Sequence, residues 1–255
     1  METPFLLAAD IDGTLLGDEA GEASLKALVE SRPRQVYLAL ITGRSLATIT
    51  PLIQAGRLPQ PNYICADVGT ELYDCYDPQN ELGRRYAARA SEHWSLETIY
   101  RLGVGKGVTI QDFPDGQPHY QAGFYWDGKA ETLQAFRQRL AGLPGCFVLP
   151  SYDYYIDVLP ASMGKGQAAL FLQQVLGLDR QHVVVAGDTG NDSPMFETGL
   201  PGIVPANALD ELKRVAVQPW HYHSPHPAGR GVLDGLQHFG LIDSTFAASD
   251  AGALK

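Results

Sequence analysis

The chain has 255 residues, enough for one large domain or two unequal ones, and its hydrophobic content of 45% is ordinary for a globular protein. A net charge of −10 argues against a nucleic-acid partner or an anionic membrane, but not against an anionic substrate held in a small basic pocket. The three cysteines, Cys65, Cys75 and Cys146, lack metal-ligand spacing, which predicts free thiols in a reducing compartment. Because no signal peptide or membrane-spanning run is recognisable, we expect a cytoplasmic protein without a membrane partner.

The first predicted element is a buried strand, Phe5–Ala9, that ends in two aspartates. Asp10 and Asp12 are two residues apart, so in an extended chain their side chains point the same way, and Gly13 lets the chain turn away. Asp-x-Asp-Gly is equally typical of a surface turn. Its position after an apolar strand favours a ligand site, since open α/β sheets bind ligands at the carboxyl ends of their strands. Two such carboxylates require a cation, and oxygen ligands favour Mg²⁺.

The second predicted strand, Val36–Ile41, runs into Thr42-Gly43-Arg44-Ser45 and then a helix, Leu46–Gln54. Backbone N–H groups and a hydroxyl at such a helix start can bind an anion. The alternative is an ordinary N-cap made by Thr42 or Ser45. Arg44 favours the anion site, because a cap does not need a cation at the positive end of a helix. The other elements predicted in this part are a helix at 22–31, a third strand Tyr63–Ala66, and a glycine turn with a hairpin at 67–73.

The middle of the chain, from about residue 83 to 160, has a different pattern. Helix–strand–strand occurs twice, which predicts an internal repeat: four antiparallel strands with two helices on one face, inserted as a second domain. Its tyrosines and tryptophans suit sugar rings, although most of them are expected to fill a thin core. The predicted elements are a helix at 91–102 opened by Ser91, strands at 108–113 and 119–126 around a Pro-Asp-Gly turn, a helix at 129–143, and strands at 146–151 and 154–159.

After the insert, strands and helices alternate again, which implies a parallel sheet. Lys165 lies between two glycines at a helix start, an unusual place for a solvated cation. The strand Val183–Ala186 ends in Gly-Asp-Thr-Gly-Asn-Asp, which contains Asp188 and Asp192. The remaining predicted elements are helices at 167–176, from Ser193, at 209–215 and at 232–239, and strands at 202–205 and 221–223.

These polar signals converge, because parallel strands place their carboxyl ends along one edge of the sheet. Asp10 and Asp12, Thr42, Lys165, and Asp188 with Asp192 would then meet at one site. Phosphoryl transfer needs such a set: a nucleophile, a cation, donors for the phosphate oxygens and an acid–base partner.

In order along the chain, DIDGT, ITGR, Lys165 and GDTGND resemble the four motifs of the haloacid dehalogenase-like (HAD) phosphatases. The resemblance implies a Rossmann-like α/β core with a type IIB cap made of the doubled αββ insert. It also implies that Asp10 is the nucleophile and Asp12 the acid–base residue. By the same resemblance, phosphate is bound by Thr42, Gly43, Lys165 and Asn191, and Mg²⁺ by Asp10, the main-chain carbonyl of Asp12, Asp188 and Asp192.

Within that superfamily the chain most resembles the sucrose-phosphate phosphatases, through VGTELY at 68–73, SEHW at 91–94 and GDTGND. It departs from them with Gly13-Thr14 after the second aspartate, and with Asp153-Tyr154-Tyr155 where the family's cap loop resembles Gly-Lys-Asp. We therefore expect hydrolysis of a sugar phosphate, first sucrose 6-phosphate in sucrose biosynthesis, with other glycosyl-conjugate or hexose phosphates open. The predicted sugar-binding residues are Arg44, Glu71, Tyr155 and Asp157.

Two other functions remain to be distinguished. A phosphosugar mutase would depend on a sugar bisphosphate, and a phospho-accepting regulatory module would form a slowly decaying phosphoprotein without turnover. Association with a sugar-phosphate synthase is also open. The expected organisation is a core at 1–82 and 161–242, a cap at 83–160, and a frayed tail at 243–255.

Overall fold

The computed structural model describes residues 3–243, so the predicted frayed tail lies, apart from Asp243, outside the described residues. Two sheets are present within that range, one of seven strands and one of four. The strands are β1 Phe5–Ala9, β2 Val36–Ile41, β3 Tyr63–Ala66, β4 Glu71–Asp74, β5 Val108–Ile110, β6 Ala122–Trp126, β7 Cys146–Ser151, β8 Tyr155–Pro160, β9 Val183–Ala186, β10 Gly202–Val204 and β11 His221–His223.

The helices lie between the strands. They are α1 Glu19–Ser31, α2 Leu46–Gln54, α3 Glu81–Ala87, α4 Leu96–Gly103, α5 Ala130–Leu140, α6 Lys165–Leu176, α7 Ser193–Phe196, α8 Asp210–Lys213 and α9 Ala228–His238. Among residues 3–243, no helix combines the length and the hydrophobicity needed to cross a membrane.

The larger sheet has the order β11-β10-β9-β1-β2-β3-β4 and is parallel except for its edge strand β4. Its central strand β1 is completely buried, as the apolar run Phe5–Ala9 predicts. The chain builds the sheet outward from β1 through β2 and β3, and later from β9 on the other side. The order therefore reverses beside β1, which is where open α/β sheets bind ligands.

The four-stranded sheet has the order β5-β6-β8-β7 and is antiparallel throughout. Helices α4 and α5 cover one face of it, and a separate core forms there around Phe124, Phe136 and Ile156. The predicted α/β core with an inserted α+β cap is confirmed. The exact domain bounds remain a prediction; α3 packs its Leu82 and Tyr86 into the core of the larger sheet.

Several predicted bounds in the cap differ from the structure. The helix predicted from Ser91 begins at Leu96, and its N-cap is Ser95, whose hydroxyl accepts a hydrogen bond from the N–H of Thr98. The short helix α3 was not predicted, because its seven residues contain a glycine and show no extended periodicity. The strand predicted at 108–113 already ends at Ile110, and the strand predicted at 119–126 begins only at Ala122. Residues 111–121 therefore form a loop.

Candidate active site

Asp10 and Asp188 are brought together by the pairing of β1 with β9. These strands run side by side, and the N–H of Asp10 donates to the carbonyl of Ala186 at 3.0 Å. The backbone hydrogen bonding between β1 and β9 therefore extends to Asp10 itself. Lys165 reaches the same place from the first turn of α6. The convergence expected from the sequence is therefore observed for these residues.

Lys165 is buried and makes three short contacts through its ammonium group. Its Nζ lies 2.8 Å from Asp10 Oδ1, 2.8 Å from Asn191 Oδ1 and 2.6 Å from Asp192 Oδ1. Burial alone would lower the pKa of Lys165, but the charges of Asp10 and Asp192 raise it above its usual value. The lysine is therefore a fixed positive charge beside Asp10, as a phosphate-binding cation must be.

Three buried carboxylates lie together in this site. One oxygen from each of Asp10, Asp188 and Asp192 lies within 4.8 Å of the others. Burial, opposed by Lys165 and reinforced by Asp192, raises the pKa of Asp10 to about 6. Burial and the charges of Asp192 and Asp10 raise the pKa of Asp188 to about 8. The three carboxylates together carry more negative charge than Lys165 neutralises. Because they offer only oxygen atoms as ligands, this site fits Mg²⁺.

Asp192 and Asn191 hold the loop after β9 in place. Asp192 Oδ2 accepts hydrogen bonds from the N–H groups of Asp188 and Thr189 at 2.9 and 3.0 Å. Asn191 Oδ1 accepts from Lys165 and from the hydroxyl of Thr189. Both side chains therefore orient Lys165 and Asp188, and Asp192 has fewer lone pairs left for a metal than Asp188 has.

The turn after β1 also supports Asp188. Thr14 Oγ1 donates to Asp188 Oδ1 at 3.2 Å, a contact that the sequence analysis missed. Gly13 has φ of +74°, and a Cβ atom there would lie 2.2 Å from Asp188 Oδ2. Only glycine allows this approach, so Gly13-Thr14 is matched to Asp188 rather than being a generic turn.

Asp12 does not point into the carboxylate cluster. Its side chain is half-exposed and binds the guanidinium of Arg44 through two hydrogen bonds, Nε to Oδ2 at 2.6 Å and Nη2 to Oδ1 at 2.7 Å. The hydrogen bond to Asp12 raises the pKa of Arg44. That Asp10 and Asp12 face one site remains a prediction. The role of Arg44 as a sugar ligand also remains a prediction.

The segment after β2 contains both features that the sequence left open. Ser45 caps α2, since its hydroxyl accepts from the N–H of Thr48 at 3.4 Å. Thr42 is buried and its hydroxyl accepts from the N–H of Arg44 at 3.3 Å, outside the cap. A Cβ at Gly43 would lie 3.7 Å from Asn191 Nδ2, which places this segment next to the loop after β9. The phosphate-binding roles of Thr42 and Gly43 remain predictions.

The face of the cap sheet that α4 and α5 leave uncovered lies towards the larger sheet, where Leu149 and Leu159 pack with Val68. In β8, Ile156 and Val158 enter the cap core, whereas Tyr155 and Asp157 lie on the opposite face, as strand alternation predicts. Asp157 is 5% exposed, and burial raises its pKa to about 6. Tyr155 packs against the rings of Tyr125 and Tyr154, and its contact with a sugar remains a prediction.

Glu71 lies at the junction of core and cap. It accepts hydrogen bonds from Tyr73 and from His119 of the cap loop, at 2.7 and 2.8 Å. Burial would raise the pKa of Glu71, but these two hydrogen bonds lower it. Glu71 is therefore an ionised group beside the cap, and its contact with a sugar remains a prediction.

Glu211 and Tyr152 form a second junction that the sequence analysis missed. Glu211 Oε1 accepts from the N–H of Gly190 at 2.8 Å, and both of its oxygens lie 3.3 Å from the N–H of Tyr152 in the β7–β8 turn. Tyr152 and Asp153 have φ of +55° and +48°, unusual for residues other than glycine. Burial and the charge of Asp188 raise the pKa of Tyr152 to about 12.

An α/β core with this cluster of Asp10, Lys165 and Asp188, and a four-stranded cap inserted beside it, defines a haloacid dehalogenase-like hydrolase with a type IIB cap. Within that superfamily the chain belongs to the sucrose-6F-phosphate phosphohydrolase family, whose model matches residues 3–240.

Individual proteins match more than nine-tenths of the chain. The sequence is 32% identical to a mannosylfructose-phosphate phosphatase of Agrobacterium fabrum (strain C58 / ATCC 33970) over 92% of this chain and 97% of that protein. It is 30% identical to a glucosylglycerol-phosphate synthase of Pseudomonas anguilliseptica over 96% of this chain, but this chain spans only 32% of that longer protein. The sucrose-phosphatase of Synechocystis sp. PCC6803, solved with sucrose and phosphate, superposes with a TM-score of 0.84 at 28% identity, covering 93% of this chain and 98% of that one.

Proposed function

We propose that this protein is a Mg²⁺-dependent phosphatase of a sugar phosphate, with sucrose 6-phosphate as the first candidate substrate. The observation that carries the proposal is the direct contact of the buried Lys165 ammonium with Asp10, beside Asp188. A carboxylate held against a fixed cation is oriented to attack phosphorus, and the cation offsets the charge that accumulates on the phosphate oxygens.

In the proposed reaction, a carboxylate oxygen of Asp10 forms a bond to phosphorus while the bond from phosphorus to the sugar oxygen breaks. Asp12 would carry a proton when the substrate is bound and would give it to the departing oxygen. It then takes a proton from the water that attacks the phosphorus of the aspartyl-phosphate, which releases phosphate and restores Asp10. Lys165, with Thr42, Gly43 and Asn191, would bind the phosphate oxygens.

Mg²⁺ would be held by Asp10, Asp188 and the main-chain carbonyl of Asp12, with Asp192 oriented behind them. It would neutralise charge on the transferred phosphoryl group. The donor set fits this ion because the three clustered carboxylates supply only oxygen and carry more negative charge than Lys165 offsets.

A second candidate substrate is mannosylfructose phosphate or another glycosyl-conjugate phosphate. It is favoured by the cap turn, where Asp153-Tyr154-Tyr155 departs from the pattern of the sucrose-phosphate phosphatases, and by the relative from Agrobacterium fabrum. Arg44, Glu71, Tyr155 and Asp157 are the residues proposed to contact the sugar.

The setting that we propose is cytoplasmic, supported by three cysteines that remain free thiols. A functional link to a sugar-phosphate synthase is supported by the similarity of this chain to part of the longer glucosylglycerol-phosphate synthase of Pseudomonas anguilliseptica.

The experiment is a turnover screen of the purified protein with Mg²⁺ against sucrose 6-phosphate, mannosylfructose phosphate, glucose 6-phosphate and 4-nitrophenyl phosphate. We expect phosphate release from at least one sugar phosphate, and its loss with EDTA. A requirement for a sugar bisphosphate with isomerised product would favour a mutase. A stable phosphoprotein without phosphate release would favour a regulatory module.

A further inference from the structure

Asn207 joins the turn after β1 to the start of α9. It follows β10, the strand next to β9, and so lies at the same edge of the sheet as the carboxylate cluster. Its Nδ2 donates to the carbonyl of Gly13 at 2.7 Å, and its Oδ1 accepts from the N–H of Ala228 at 2.7 Å. Although Asn207 is an exposed residue, both ends of its amide are therefore used in short hydrogen bonds to backbone groups.

The segment that contains Asn207 also holds the loop after β9. The N–H of Leu209 donates to the carbonyl of Asp188 at 2.7 Å. A Cβ atom at Gly13 would lie 2.2 Å from Asp188 Oδ2 and 3.3 Å from Asn207 Nδ2, so the amide and the carboxylate flank the same glycine. Residues 207–209 therefore connect the two loops, after β1 and after β9, that contain proposed Mg²⁺ ligands.

The turn that Asn207 binds needs a restraint from outside. Gly13 follows Asp12, whose main-chain carbonyl is a proposed Mg²⁺ ligand, and precedes Thr14, whose hydroxyl donates to Asp188 Oδ1. A shift of the Gly13 carbonyl would therefore move groups on both sides of the metal site. Because glycine has no Cβ atom, it restricts its own backbone less than any other residue does. The hydrogen bond from Asn207 restrains the turn at this position.

The other end of the amide is attached to a fixed support. Ala228 has φ of +43°, a left-handed conformation that costs an alanine free energy and persists only where the surroundings impose it. Two residues later, Nε of Arg230 donates to Asp18, the N-cap of α1, at 2.6 Å. The start of α9 is thus docked against the start of α1, and Asn207 ties the Gly13 turn to this junction.

We propose that Asn207 is a positioning residue for the Mg²⁺ site. By holding the Gly13 carbonyl, it sets the separation between the Asp12 carbonyl and the carboxylate of Asp188. Asn207 supplies no ligand atom itself, since both ends of its amide bind backbone groups. This inference rests on the proposed function and deepens it, because it makes metal affinity depend on a residue outside the four motifs.

The test compares Asn207→Ala with the matched control Asn80→Ala. Asn80 likewise donates through Nδ2 to a carbonyl, that of Leu72, and accepts through Oδ1 from an N–H, that of Asp74. Asp74 pairs with Tyr63, the first residue of β3, so this bridge lies near the edge of the sheet opposite the carboxylates. Each variant loses two hydrogen bonds of the same kind, but only Asn207→Ala loses them beside the metal site.

For each variant, the dissociation constant of Mg²⁺ alone is measured by calorimetric titration, and the unfolding temperature is recorded. The kcat for 4-nitrophenyl phosphate is also followed as Mg²⁺ is raised. We expect Asn207→Ala to bind Mg²⁺ about tenfold more weakly, as is typical when a group that orients metal ligands is removed, and to approach the wild-type kcat once Mg²⁺ saturates the site. Asn80→Ala should unfold at a lower temperature but keep the wild-type affinity for Mg²⁺.

A second variant, Asn207→Asp, separates position from charge and also serves if Asn207→Ala does not fold. It keeps an acceptor for the N–H of Ala228 and removes the donor to the Gly13 carbonyl. Its added negative charge alone would strengthen Mg²⁺ binding, whereas loss of the restraint on the turn predicts weaker binding.

Wild-type Mg²⁺ affinity in Asn207→Ala, or binding by Asn207→Asp as tight as that of the wild type or tighter, would overturn the inference while leaving a Mg²⁺-dependent phosphatase. A lower unfolding temperature of Asn207→Ala with unchanged Mg²⁺ affinity would assign the residue to stability alone. Failure of the wild-type protein to bind Mg²⁺ would overturn the proposed metal dependence together with the inference.

Discussion

The guanidinium of Arg44 binds the carboxylate of Asp12 in a two-point contact, with distances of 2.6 and 2.7 Å. Arginine suits such planar contacts, because two of its N–H groups match the two carboxylate oxygens. The pair joins the turn after β1 to the segment after β2, and so fixes the direction in which the predicted acid–base residue points. Arg44 therefore orients Asp12, in addition to the sugar contact that is predicted for Arg44.

Replacing Arg44 separates these two roles. If Arg44 orients Asp12, Arg44→Lys should lower kcat about tenfold or more on sugar phosphates and on 4-nitrophenyl phosphate alike, since lysine cannot reproduce the two-point contact. Steady-state kinetics on both substrates make the measurement. A loss confined to the sugar phosphate would instead assign Arg44 to sugar binding.

Asp12 and Asp188 should differ in what they contribute to metal binding. Asp12→Asn should keep Mg²⁺ affinity close to wild type, because its proposed ligand atom is a main-chain carbonyl, while turnover falls through loss of the acid–base group. Asp188→Asn should weaken Mg²⁺ binding strongly, because it removes a clustered carboxylate. Calorimetric titration of both variants with Mg²⁺ is the test; weaker binding by Asp12→Asn than by Asp188→Asn would make the assignment wrong.

Asp157 should lower the stability of the free protein at neutral pH. Burial raises its pKa from an ordinary 3.8 to about 6, so the folded state holds the proton more tightly than the unfolded state does. The resulting free-energy penalty is absent at low pH, grows from about pH 4 to about pH 6, and is constant above that. Gln121 Nε2 donates a hydrogen bond to Asp157 Oδ1 at 2.7 Å, and Asp157→Asn keeps an acceptor for that bond while it removes the buried charge.

Asp157→Asn should therefore unfold at a higher temperature than wild type at pH 8, with a difference that shrinks as pH falls below about 6. The same variant should lower kcat/KM for the sugar phosphate about tenfold, and barely change hydrolysis of the aryl phosphate, because only the sugar reaches the cap. Equal losses on both substrates would assign Asp157 to the fold or to the metal site.

Glu211 should hold the β7–β8 turn against the loop after β9. Glu211→Ala removes the acceptor for the N–H groups of both Tyr152 and Gly190, so we expect kcat/KM to fall on sugar and aryl substrates, with a larger loss for the sugar phosphate. The matched control is Glu197→Ala, an exposed carboxylate after α7. Kinetics of Glu211→Ala indistinguishable from those of this control would show that the contact has no role in turnover.

The meeting of Asp10, Lys165 and Asp188 was predictable from sequence because it depends on topology. Strands of a parallel sheet end at one edge, so residues after β1 and β9 had to lie near each other once the strands were recognised. The Arg44–Asp12 pair was not predictable, since it depends on side-chain rotamers across two loops. The pattern predicted Ser91 as the helix cap, whereas Ser95 caps α4; serine is a good cap at either position, so residue type alone does not locate the start of this helix.

The cap face was predictable in part. Strand alternation correctly placed Asp157 on the face opposite the cap core, since alternation needs only a strand and no partner. Glu211 was missed, since its partners are backbone groups distant in sequence.

The central claim, that Asp10 carries the phosphoryl group, is tested most directly by trapping the intermediate. The protein is mixed with sucrose 6-phosphate, or the best sugar phosphate of the screen, labelled on phosphorus, and quenched in acid during turnover. We predict label on the peptide that contains Asp10, its release by hydroxylamine as expected of an acyl phosphate, and more label in Asp12→Asn, where hydrolysis of the intermediate is impaired. Label on a different peptide, or label in Asp10→Asn, would contradict the account.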